Sequence, residues 1–102
     1  MFNIGVDITQ ISRFHNKKIT FAQKILGKKE LLEYQNLTCK DQALFLARAW
    51  AIKEAIYKAD NSYSNYHKID LVKSNNKWTF ENFNISISHE NDLLVAFVIK
   101  NI

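Results

Sequence analysis

Hydrophobic and polar positions change period twice along this chain. From Phe2 to Ile8 they alternate one for one: Phe2, Ile4, Val6 and Ile8 share one face, Asn3, Gly5 and Asp7 the other. That period predicts a half-buried strand, with Asp7 near its C-terminal end and facing away from the apolar row. From Leu44 to Ala59 the stretch LFLARAWAIKEAIYKA contains neither Gly nor Pro, and Leu44, Ala47, Ala51, Ala55 and Ala59 recur at near-helical spacing. It predicts one long helix whose small side chains let another element approach closely. Alternation returns at Ile69, Leu71 and Lys73, then at Lys77 to Phe80. It is clean at Phe83, Ile85 and Ile87 against Asn84, Ser86 and Ser88, a strand ending at His89. Leu93 to Ile99 is an apolar run suited to a central strand or one buried on both faces.

Punctuation between these segments fits the same plan. Thr20 with Gln23 matches a capping box that opens a helix, and Gly27 suits its C-terminal cap. Lys28 to Gln35 reads as a further helical turn or two, with Leu31, Leu32 and Tyr34 packing inward. Thr38 with Asp41 signals the start of the long helix. The chain has no proline and two glycines, so asparagine supplies most turns, notably Asn75-Asn76 in a hairpin and Asn91 before the last strand. The expected fold class is α+β: one domain over residues 1–102, an antiparallel sheet packed against a long central helix, with the N-terminal strand joining the sheet.

Composition adds the setting. With 47% hydrophobic and 24% charged residues, the chain is ordinary for a soluble globular domain. Its longest apolar run is far too short to cross a bilayer. MFNIGVDI lacks a basic n-region and holds an acidic residue, so it does not resemble a secretory signal, and the cytoplasm is the expected compartment. The single cysteine, Cys39, excludes an intramolecular disulfide and argues against a thiolate metal cluster. The net charge of +4 is unevenly spread: Arg13, Lys17, Lys18, Lys24, Lys28 and Lys29 lie together with no acidic residue among them, which leaves eight basic against ten acidic residues elsewhere. Such a patch attracts an acidic partner.

Candidate chemistry sits in the long helix. Lys53, Glu54 and Lys58 interrupt its apolar surface, and Glu54 and Lys58, four apart, share a face. An ion pair on a solvated stripe is the plainest role for them. Several segments together point further. GVDI around Asp7, WAIKEAIYKA around Glu54, SISH at Ser86–His89 and the closing AFVI stand in the order and approximate spacing of the holo-acyl-carrier-protein synthases, short members of the 4′-phosphopantetheinyl transferases. FAQKILGKKEL between Phe21 and Leu31 also resembles that family's F-x-x-R-I-L-x-x-x-E-L segment, with Lys24 in place of the arginine.

The resemblance implies transfer of the 4′-phosphopantetheine arm of coenzyme A to a serine of apo-acyl carrier protein, releasing adenosine 3′,5′-bisphosphate. It implies Asp7 and Glu54 as ligands of a Mg²⁺ ion, which needs only one or two carboxylates beside phosphate oxygens and water. Glu54, or a water on the metal, takes the serine proton. Lys58 stabilises charge on the leaving group. Lys40 aligns with a phosphate-binding position, and Ser88 and His89 with a strand end lining the coenzyme A site. Arg13, Lys17, Lys18, Lys24 and Lys28 would receive the acidic carrier protein, and the assembly would be a homotrimer with active sites between subunits. Two segments depart from the pattern. Ala49 stands where an arginine is usual, with Arg48 one step, or about 100° of helix, away. Asp60-Asn61-Ser62 replaces a glycine-rich loop, with Asn61 able to take the left-handed backbone.

Two other classes fit parts of the sequence. A small basic nucleic-acid-binding domain would use the lysines with exposed aromatics at Tyr63, Tyr66 and Trp78, although no recognised motif of that class is present and there are only two arginines. A carrier-binding module that has lost catalysis would keep the fold, and the intact Asp7, Glu54 and Lys58 argue against it.

Overall fold

One five-stranded antiparallel sheet carries the long helix against its inner face. The computed structural model describes residues 1–101. In chain order it comprises β1 (Phe2–Gln10), a 3-10 turn (Ile11–Phe14), α1 (Ile19–Ile25), α2 (Lys28–Gln35), α3 (Cys39–Ala59), a second 3-10 turn (Tyr66–Lys68), β2 (Val72–Ser74), β3 (Lys77–Phe80), β4 (Phe83–Glu90) and β5 (Leu93–Asn101). The strands lie in the order β1-β5-β4-β3-β2. Three successive hairpins thus build the sheet, and β1 closes on the free edge of β5, giving the expected α+β architecture.

The faces of β1 are reversed from the expectation. Gly5, Asp7 and Thr9 pair with Val98, Ala96 and Leu94, and this row turns toward α3. Phe2, Ile4, Val6 and Ile8 are each more than half exposed on the outer face, beside Val95, Phe97 and Ile99 of β5. A period of two fixes which residues share a face, and tertiary packing decides which face is covered. Here close approach decides it: a Cβ on Gly5 would sit 1.9 Å from the Ala55 carbonyl oxygen. Ala51, Ala55 and Ala59 are all buried along that seam. The strand also runs on to Gln10, so Asp7 lies within it rather than at its end.

Other differences have local causes. α1 begins at Ile19 with no side-chain cap, which leaves Thr20 inside the helix. Gly27 opens α2 rather than closing α1, its N–H donating to Glu30 Oε1 at 2.8 Å. No side chain fits there, because a Cβ would meet Asp70 Oδ1 at 1.9 Å. Tyr34 is buried as expected, while Leu32 points outward. Ile69 and Leu71 are buried but precede β2, since the Leu71 N–H donates to Glu30 Oε2 (3.0 Å) instead of joining the ladder. β5 is interior to the sheet yet buried on one face only. Asn75 and Asn76 adopt positive φ in the hairpin, and Asn91 does so before β5.

Candidate functional site

The seam between β1 and α3 brings Asp7, Glu54 and Lys58 together. Lys58 Nζ donates to Asp7 Oδ1 (3.2 Å) and to the Val6 carbonyl (2.9 Å), so its partner is on β1 and not the Glu54 one turn away. Asp7 Oδ2 is buried and accepts no hydrogen bond from any described residue. Burial pushes the Asp7 carboxyl above its usual range and the Glu54 charge adds to this, against the opposing pull of Lys58 and Arg13. Glu54 is held on one side: the Tyr66 hydroxyl donates to its Oε2. Burial and the Glu54 carboxylate push the Tyr66 hydroxyl far above its ordinary range, so it remains a donor.

Two neighbouring carboxylates, one with an orphaned buried oxygen, form an oxygen-donor set that suits a hard divalent cation such as Mg²⁺. Among the described residues no cluster of three or more His, Cys, Asp or Glu side chains forms.

A second lysine–carboxylate pair lies one turn earlier on α3. Lys53 is 0% exposed and Glu30 4%. Lys53 Nζ donates to Glu30 Oε1 (2.6 Å) and to the carbonyls of Ile25 (2.7 Å) and Tyr66 (2.9 Å). Burial pushes the Lys53 ammonium down, and Glu30 opposes that shift. Lys53 carried no assigned role from sequence alone; its place between Ile52 and the alanines of an apolar helix was the available signal. Tyr66 was missed for a different reason, as nothing in its loop neighbours foretells contact with Glu54.

The other expected site residues divide between two places. Lys40 and His89 line one cavity of about 430 Å³ with His15, Leu44 and Asn91. Ser88 opens to a neighbouring cleft with Ile8 and Leu93, opposite Val95 on the outer face of the sheet. Glu54 lies fourteen positions beyond Lys40, or about 21 Å along the helix. Arg48 lines a crevice with Glu30, Phe45, Leu71 and Trp78, apart from the Lys40 cavity. Asn61 does not take the left-handed backbone; its amide caps the Tyr57 carbonyl at 2.7 Å. Asp60 Oδ1 pins the loop by accepting from the Ser62 N–H (3.0 Å) and hydroxyl (2.7 Å).

Arg13, Lys17, Lys18, Lys24 and Lys28 are all exposed. Arg13 is partly engaged, donating to Thr9 Oγ1 at 3.0 Å, and Lys17 lies over the Phe21 ring at 5.0 Å. The aromatics expected to be exposed are half-buried instead. Tyr63 packs edge-on against Phe80 and Phe83, Tyr66 against Trp50, and Lys73 covers Trp78. Their rings are thus partly engaged within the fold, which leaves less surface for base stacking. No described helix is long and apolar enough to cross a membrane.

Comparison with known proteins places these residues in a family. The model of the 4′-phosphopantetheinyl transferase superfamily matches residues 3–98. The chain is 55% identical over 97 residues to a holo-[acyl-carrier-protein] synthase of Mycoplasma mobile, covering 95% of this chain and 87% of that protein. It is 45% identical over 97 residues to the synthase of Mycoplasmopsis pulmonis, covering 95% and 88%. Its fold matches the crystal structure of a holo-(acyl-carrier-protein) synthase from Bacillus anthracis in complex with CoA (3′,5′-ADP), with a TM-score of 0.81 at 24% identity and coverage of 95% and 93%.

Proposed function

The chain belongs to the 4′-phosphopantetheinyl transferase superfamily, and we propose that it moves the 4′-phosphopantetheine arm of coenzyme A onto a serine of apo-acyl carrier protein in the cytoplasm. The carrier serine oxygen bonds to the phosphorus that bears the arm, the bond from that phosphorus to the bridging oxygen breaks, and adenosine 3′,5′-bisphosphate leaves. The observation that carries this reading is the Asp7–Glu54 pair, with Asp7 Oδ2 unpartnered and Lys58 beside it. Asp7 and Glu54 would hold Mg²⁺, which when bound neutralises the diphosphate charge. Lys58, half exposed, turns from Asp7 to the phosphate oxygens and offsets charge developing on the leaving group. A base at this centre, the free Glu54 oxygen or a water beside it, takes the serine proton.

The assembly is a homotrimer with its sites between subunits. Two features support this. β1 and β5 present a continuous apolar outer face of the kind that copies of one chain cover. The Lys40–His89 cavity also lies too far along α3 to serve the same chain's Glu54 at close range. Coenzyme A would therefore bridge the phosphate-binding end of one copy and the carboxylate pair of another, with Ser88 at the rim. Full activity from a stable monomer in light scattering would remove the trimer.

Arg13, Lys17, Lys18, Lys24 and Lys28 would receive the acidic carrier protein. Reversing charge at Lys17 and Lys24 together should raise the Michaelis constant for the carrier, most strongly at low salt, and leave coenzyme A binding almost unchanged. The reaction itself is tested by incubating the protein with coenzyme A, Mg²⁺ and apo-acyl carrier protein. Mass spectrometry should find the arm added to the carrier; no addition would leave the module that binds carrier without catalysis.

A further inference from the structure

Tyr66 is bound to one face of α3 at three points. Trp50, Lys53 and Glu54 occupy positions i, i+3 and i+4 of that helix and so line up on one side. The Trp50 ring meets the Tyr66 ring edge-on, with centroids 5.9 Å apart and planes at 77°. Lys53 Nζ, fully buried and paired with Glu30, donates to the Tyr66 carbonyl at 2.9 Å. The Tyr66 hydroxyl donates to Glu54 Oε2. Ring, backbone and hydroxyl are each anchored, so the hydroxyl is a fixed point and not a passing contact. Only Glu54 gains from that fixity, because the other two bonds hold Tyr66 itself.

We infer that Tyr66 is the positioning residue for the metal centre, engaging Glu54 Oε2 so that Oε1 alone is left for a cation. The inference rests on the metal reading proposed above. A free glutamate samples several rotamers and offers either oxygen, or both, to a cation. One with Oε2 engaged presents a single oxygen, which suits an octahedral ion bound monodentately. Removing a hydrogen bond that orients a metal-binding group typically costs about 10–100-fold in metal affinity or activity. Tyr66 acts through Glu54, the one side chain to which its hydroxyl donates.

The test is Mn²⁺ binding to the purified chain, read by electron paramagnetic resonance, for the unmodified protein, Tyr66→Phe and Glu54→Gln. Phenylalanine keeps the ring contact with Trp50 and the carbonyl bond to Lys53, so Tyr66→Phe should melt as the parent does. It should bind Mn²⁺ about 10–100-fold more weakly. In transfer assays it should lower kcat while the Michaelis constant for coenzyme A stays put, a split that a purely structural tyrosine would not produce. Mn²⁺ affinity equal to or tighter than the parent's would overturn the inference. Glu54→Gln separates the two levels. If it loses Mn²⁺ while Tyr66→Phe does not, only the role of Tyr66 falls. If it too binds like the parent, the metal reading falls with it.

Discussion

Two lysine–carboxylate pairs stand five residues apart on α3, and they are built to opposite ends. Lys53 and Glu30 are sealed, at 0% and 4% exposure, and every polar atom of the pair has a partner in the backbone around it. Lys58 and Asp7 are open, at 53% and 12%, and one Asp7 oxygen has no partner among the described residues. The sealed pair spends its hydrogen bonds on tying the end of α1, the start of α2, the Tyr66 turn and the lead into β2 to one helix. The open pair keeps unsatisfied capacity where a cation and a phosphate could use it. Two pairs of similar charge thus differ in what they leave available, according to how completely their neighbours satisfy them.

Breaking the sealed pair should produce the largest effect on the fold. Lys53→Met leaves the buried Glu30 short of a partner, and should destabilise the protein by about 3–5 kcal/mol. Urea unfolding measures this, and a change below about 1 kcal/mol would mean that Glu30 rehydrates freely. The open pair should respond in the reverse sense. Lys58→Ala should cost less than about 1 kcal/mol of stability, as exposed pairs do, while lowering kcat for transfer by about 10²–10³-fold.

A third pair, Asp60 with Lys100, sharpens the comparison from the surface side and should give the smallest effect. The Lys100 ammonium and the Ser62 donors pull the Asp60 carboxyl from 3.8 down to about 2. A depressed carboxyl contributes stability above its unfolded pKa and loses it as pH falls toward the folded one. The difference in unfolding between the parent and Asp60→Asn should therefore be constant above about pH 5 and close between pH 3.8 and about 2. A difference that persists unchanged at the acid end would show that Asp60 acts by packing.

Much of this was legible in the sequence, and the remainder has physical reasons for being hidden. The long helix, the asparagine hairpin and the β4–β5 strands follow from period and turn chemistry, because those signals are local. Asp7, Glu54 and Lys58 were found through segments that resemble a family, and the fold then placed them side by side. What stayed hidden was relational. Alternation in β1 divided the strand correctly but assigned its apolar row to the core, while Gly5 and the α3 alanines drew the polar row inward. Gly27 looked like a helix end until Glu30 and Asp70 claimed its surroundings. Lys53 carries no local mark of burial except its apolar neighbours on the helix, and Tyr66 none at all.

The proposed metal site is Asp7 with Glu54, beside the open pair, and one measurement reaches it directly. Transfer of the arm to apo-acyl carrier protein should be followed by mass spectrometry across a Mg²⁺ series for the parent, Asp7→Asn, Glu54→Gln and the double variant. With both carboxylates proposed to hold one ion, each single change should abolish transfer, and the double should be little worse than either. Melting temperatures without metal should hold or rise slightly, since neutralising either group relieves the repulsion that, with burial, raises the Asp7 pKa. Near-full Mg²⁺-dependent transfer by Glu54→Gln would contradict the assignment and return Glu54 to the role of a surface charge.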